Sequence, residues 1–242
     1  MGKGGGIGLG SSKTGEIFDI GIEIGEMLSQ TKKEGKKIFI GIDDVSKTPD
    51  MVIFASEFGK WMVEDYPVYM VCTGLYENIE QLSNVKNLTF FRRATTVMTK
   101  PLSTIKMSEM YRNRLGVNTT IAKELANMTH GYAYAFQELG VLYFSKKYKN
   151  PQEAEGELKS ELFAYAYEKI WEEMSEGDRE LVRIISEKTE YKREEVLEKM
   201  NKPKNYSVYR DRLARRGIVN LRQGYIGLSL PYFGNYIREY YM

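Results

Sequence analysis

The chain has 242 residues, 42% of them hydrophobic and 28% charged, and a formal net charge of only +2. That is the balance of an ordinary soluble globular protein of two or three modules, so any case for nucleic-acid binding rests on local rather than global charge. Cys72 is the sole cysteine and His130 the sole histidine, which excludes a disulfide framework, a Cys/His zinc site and, unless His130 serves, a Ser-His-Asp or Cys-His mechanism.

A lone cysteine suits a reducing compartment. No apolar run nears the roughly 20 residues of a membrane span, and no signal-peptide pattern opens the chain. The expectation is a soluble cytoplasmic protein with no membrane partner.

Residues 1–16, MGKGGGIGLGSSKTGE, read as flexible or turn-rich chain. From Ile17 to about Lys33, Ile17, Ile20, Ile24 and Leu28 recur at helical spacing, and the helix stops near Gly35. The run KIFIGIDD at 37–44 is too short for a helix and reads as a strand buried on both faces. Pro49 sits where a first helical turn tolerates it, and 51–64 reads as a helix. PVYMVCT at 67–73 reads as a second buried strand, 77–82 as a short helix, and LTFFR at 88–92 as a third strand. Strand, helix, strand, helix, strand is the pattern of a parallel α/β sheet covered by helices.

At Pro101 the pattern turns helical, with helices expected at 103–114, 120–128, 132–145 and 152–174. A second break falls at Ser175, Glu176 and Gly177. Three short helical patterns come next, at 178–187, 193–200 and 207–216. Gly217 caps the third, and an alternating stretch with Gly224 at 218–230 forms a hairpin. Three helices and a hairpin make a winged helix-turn-helix.

A buried parallel strand delivers its last residues to the crevice where open α/β sheets bind ligands. Asp43 and Asp44 at that edge are costly to bury without a cation or a donor. The dipeptide alone also fits a strand that ends in polar residues at a loop. The segments after it come in a definite order. A second strand ends in Thr73, a third runs into Arg92 and Arg93, and a helix starts at Pro101, Leu102 and Ser103. Thr129, His130, Gly131 and Tyr132 come next, and then the winged helix. In this order and spacing, residues 17–242 resemble the AAA+/STAND-like P-loop ATPases of the bacterial and archaeal origin-recognition-like group.

The resemblance implies a partial parallel ATPase sheet at 17–100, a helical lid at 101–174 and a winged helix at 175–242. It implies ATP and Mg²⁺ as cofactors of an intact relative. Asp43 resembles the Walker B acid at the metal. Asp44 stands where a glutamate is more usual as catalytic base. Thr73 looks like the first sensor, and Gly131 and Tyr132 sit at the lid motif near the nucleotide, with Ala133 where many relatives have proline. No arginine occupies the second-sensor position. Arg92 and Arg93 are open to a phosphate, to a neighbouring subunit of a homo-oligomer, or to surface ion pairs.

A phosphate loop needs G-x-x-x-x-G-K-[ST] between a strand and a helix. The nearest candidate, IGLGSSKT at 7–14, carries Lys13 and Thr14 but has Ile7 and Ser12 where both glycines belong. The glycine run is a decoy, and the family would place its loop upstream of residue 1. The chain alone is therefore not expected to turn over ATP.

Charge is uneven: 151–200 hold fifteen acids and eight bases, whereas 201–242 hold eight bases and two acids. In a winged helix the third helix enters the major groove and the wing touches the backbone. Tyr209 and Leu213 share one face and point to the core. Ser207, Arg210 and Asp211 fall outside it and are placed to reach bases if the segment binds DNA, with Lys204, Arg222 and Gln223 suited to phosphates. A solvated basic surface or a protein-contact winged helix fits the same pattern. The expected function is therefore the C-terminal part of an ATPase coupling nucleotide state to a DNA- or protein-binding winged helix. The alternative is a nucleotide-independent DNA-binding or regulatory protein on a degenerate ATPase core.

Overall fold

The computed structural model describes residues 20–242. The glycine-rich start, the decoy loop and the first residues of the N-terminal helix lie outside the described residues. The chain divides into two compact units, Met1–Thr95 and Thr96–Met242. Among the described residues no helix is long and apolar enough to cross a membrane.

In the first unit, α1 (Ile20–Lys33) leads to β1 (Ile38–Ile42), α2 (Pro49–Val63), β2 (Val68–Cys72), α3 (Tyr76–Ser83) and α4 (Thr89–Arg93). The Thr48 hydroxyl caps α2 by accepting from the Met51 amide at 3.2 Å, with Pro49 in the first turn. β1 and β2 pair in parallel, from Ile38 beside Val68 to Ile42 beside Cys72, and α2 is the crossover such a pair requires. Strand side chains alternate between faces. Ile38, Ile40, Val68 and Met70 pack with Ile24, Leu28, Phe58 and Trp61 on one side.

Two expectations need correction. Among the described residues the strands are covered on one face only: Phe39 is 71% exposed, and Tyr69 and Val71 on the same side are about half exposed. A short apolar run alone does not say how many faces have cover. The expected third strand is instead α4. Leu88 and Phe91 are the buried residues there, spaced three apart, while Phe90 sits 5.8 Å from Phe58. That is a helical period, and a short segment with three apolar residues in five is where helix and strand are hardest to tell apart.

In the second unit, α5 (Thr104–Leu115), α6 (Thr119–Met128) and α7 (Ala133–Lys146) follow one another closely. Ser103 caps α5 and the Asn118 side chain caps α6 at 3.0 Å, with left-handed Gly116 between them. A long helical stretch contains α8 (Glu155–Leu162), a wider π turn at Phe163–Tyr167 and α9 (Glu168–Glu172). Then come α10 (Glu176–Ser186), β3 (Tyr191–Lys192), α11 (Arg193–Lys199), α12 (Tyr206–Arg215), β4 (Val219–Arg222), β5 (Tyr225–Leu228) and α13 (Phe233–Tyr240). The three strands form an antiparallel sheet in the order β3-β5-β4. One apolar core runs from α5 to α13 without a break, taking in Leu125, Leu139, Leu162, Tyr167, Ile185, Leu213 and Phe233. Leu213 is fully buried and Tyr209 packs beside it.

Candidate functional site

The parallel register that sets Ile42 beside Cys72 also makes neighbours of the residues just beyond the two strands. The Thr73 amide donates to the Ile42 carbonyl at 2.9 Å, and the Val45 amide to the Thr73 carbonyl at 2.8 Å, so the two loops are tied together. The Thr73 hydroxyl donates to the Asp43 carboxylate. The Asp44 amide reaches Asp43 Oδ1 at 3.1 Å and Thr73 Oγ1 at 3.3 Å. To do so Asp44 takes a left-handed backbone, with φ +52°, a conformation aspartate tolerates better than most residues. All three side chains are exposed to solvent.

This donor set is entirely oxygen. Among the described residues no group of three or more His, Cys, Asp or Glu is arranged to hold a metal ion. A closed metal cage is therefore not built here. One carboxylate, that of Asp43, beside the Thr73 hydroxyl at an open sheet edge has the oxygen chemistry for a hard cation that keeps most of its water. The nearby thiol is of another kind: Cys72 turns towards Ala55, Leu88 and Phe91, and burial pushes its pKa up.

In the second unit, Gly131 and Tyr132 join α6 to α7. The Thr129 side chain is fully buried, and its hydroxyl donates to the Ala126 carbonyl at 2.7 Å. The Tyr132 amide donates to the Thr129 carbonyl at 2.8 Å, and the Leu102 amide to the Gly131 carbonyl at 2.8 Å. Gly131 has φ +80°, and a Cβ there would lie 2.8 Å from the Leu102 carbonyl oxygen, so any other residue is strained in this backbone and must displace that carbonyl. The Tyr132 ring stacks on Tyr167 with centroids 6.5 Å apart, and burial pushes its phenol pKa up. Tyr132 thus belongs in large part to the aromatic core.

In the basic tail, Lys204 sits in the turn Pro203–Asn205 and Ser207 lies exposed in the first turn of α12. Arg210 pairs with Asp211 at 2.6 Å and lies over the Tyr206 ring. Arg222 ends β4, 3.7 Å from Glu190, and Gln223 occupies the hairpin turn with φ +34°. Arg212 pairs with buried Asp178 at 2.6 Å, and Arg216 with Glu173 at 2.9 Å. Much of the positive charge counted in the sequence is therefore matched by acids of the preceding segment. Lys202 and Lys204 make no ion pair among the described residues. The excess of acids at 151–200 was the available signal for these pairs.

The structure matches that of the Walker-type ATPase PABY2304 of Pyrococcus abyssi with a TM-score of 0.69 at 12% sequence identity, covering 92% of this chain and 69% of that one. The fold is ATPase-like. A family model described as "Domain of unknown function (DUF8462)" matches residues 164–237, a segment from the π turn to α13. No curated protein matches the sequence.

Proposed function

We propose that this chain carries the C-terminal part of an ATP-binding AAA+/STAND-like ATPase of the origin-recognition-like group, coupling nucleotide state to a winged helix that contacts DNA or a protein client. The observation that carries this reading is the Asp43–Thr73 pair at the adjacent C-terminal ends of two parallel strands, where open α/β sheets bind their ligands. In it, Asp43 holds Mg²⁺ with Thr73 beside it, Asp44 orients the attacking water, and Gly131 and Tyr132 lie at the lid motif. Bound Mg²⁺ would supply charge neutralisation at the transferred phosphate. The domain limits of this reading are 17–100, 101–174 and 175–242.

Two further observations support it. Parallel sheets are ordinarily covered on both faces, and the bare side of β1 and β2 at Phe39, Tyr69 and Val71 suits a sheet completed by more polypeptide. The α10–α11–α12 helices with the β3-β5-β4 sheet have the elements of a winged helix. The test is a separation of roles in a polypeptide that includes a phosphate loop. Asp43→Ala weakens Mg²⁺-dependent nucleotide binding, whereas Asp44→Asn spares binding and stops turnover. Equal loss of binding in both variants contradicts the assignment.

The second reading, a nucleotide-independent DNA-binding or regulatory protein on a degenerate core, rests on a different observation. The sequence has no G-x-x-x-x-G-K-[ST] motif, and thus no phosphate-loop lysine. Turnover by this chain above background, lost in Asp44→Ala, would count against it.

A further inference from the structure

Helix α7 is apolar on two sides. It buries Ala135, Leu139, Leu142 and Tyr143 in the core, yet Val141 is 61% and Phe144 71% exposed. A helix that is apolar nearly all round is normally buried all round. Beside these two residues runs a groove of about 600 Å³ between α5 and α7, which Met110, Leu115 and Phe136 also line. Its floor is firm: the Tyr111 hydroxyl donates to the Phe136 carbonyl at 2.7 Å, and the two rings lie 4.7 Å apart. The groove is thus a shallow, open apolar surface on which Val141 and Phe144 stand exposed, the kind of patch that marks an interaction site.

The charges of the groove say what fits it. Arg114 from α5 and Glu138 from α7 line it. Neither makes an ion pair among the described residues, with each other or with any other group. In a twofold interface, residue i of one copy meets j of the other and j meets i. One unpaired cation and one unpaired anion on the same face are therefore enough for two complementary pairs. We propose that the α5/α7 face binds a second copy of this chain about a twofold axis. Phe144 and Val141 of each copy fill the groove of the other, and each Arg114 faces Glu138 of the other copy. A different protein would have to bring its own matched acid, base and knob; a second copy has all three. The proposal is independent of any nucleotide chemistry at Asp43.

Sedimentation equilibrium of the full chain over a wide concentration range tests it. The expected result is a monomer–dimer equilibrium that Phe144→Glu abolishes. Arg114→Glu or Glu138→Arg alone sets like charges opposite each other twice and weakens the dimer by about tenfold or more. The double variant R114E/E138R restores opposite charges and returns the dimer towards wild-type strength. None of the three substituted residues is buried, so circular dichroism, and the melting temperature at concentrations where the wild type is monomeric, should stay unchanged and exclude misfolding. A chain that is monomeric at every concentration overturns the proposal and leaves the face to another protein. A dimer indifferent to Phe144→Glu, or a double variant as weak as the singles, overturns it too.

Discussion

The Thr73 hydroxyl donates to the Asp43 carboxylate across two parallel strands, and the Asp44 amide closes on both. This closure needs the left-handed backbone at Asp44. Asp44→Asn and Asp44→Gly should leave stability nearly unchanged, because both residues accept that conformation. Asp44→Val should cost about 1–2 kcal/mol, the penalty for a side chain that resists it. Urea unfolding of the three variants checks the order, and equal stabilities would show that the turn relaxes freely.

Gly131→Ala should be more damaging. The added carbon would press on the Leu102 carbonyl oxygen at 2.8 Å in a backbone conformation alanine disfavours. A loss of about 1–3 kcal/mol is expected, read as faster hydrogen exchange at the start of α7 and in residues 101–104. The same substitution at Gly116, where a Cβ meets nothing within 4 Å, should cost less, because only the left-handed backbone is strained.

Cys72 should be a slow thiol. Burial favours its neutral form and raises its pKa, so at pH 8 it holds less thiolate than a free cysteine and reacts more slowly with iodoacetamide. The rate should climb as pH rises past that of a free thiol and jump in denaturant. Rapid alkylation at pH 7 in the folded chain would contradict the packing against Ala55 and Leu88.

If the proposed winged helix contacts duplex DNA, the lysines without an ion pair should matter more than the paired arginines. Binding by the full chain should fall with salt. Lys204→Gln should weaken it similarly on all sequences and lower the salt slope by about one. Glu190→Gln should strengthen binding, since it releases Arg222 from its ion pair. Arg210→Ala should also reduce discrimination between sequences if that side chain leaves Asp211 for a base edge. No retardation of any duplex at low salt would favour a protein contact for this segment.

Much of this architecture is legible in the residues themselves. Pro49, Ser103, Asn118 and Ser175 start helices where their chemistry places them, and Gly217 ends one with φ +71°. The short, uninterrupted apolar runs at 38–42 and 68–72 mark two strands. LTFFR at 88–92 misleads because five apolar-rich residues satisfy either period, and only the packing of Leu88 and Phe91 decides. The bare side at Phe39 depends on what else covers the sheet, which no local pattern encodes. The candidate site was legible as three residues at strand ends; their hydrogen bonds were not, because these depend on strand register. The ion pairs of Arg212 with Asp178 and of Arg216 with Glu173 join residues 34 and 43 positions apart, beyond the reach of any local reading.

The proposed metal-holding role of Asp43 is tested most directly with Mn²⁺ in place of Mg²⁺, by paramagnetic broadening of amide signals in the full chain. The expected result is selective broadening at residues 42–45 and 72–74 that Asp43→Asn abolishes while the remaining spectrum is preserved. Broadening spread over the acidic helices of residues 151–200, or broadening at 42–45 that survives Asp43→Asn, would contradict it.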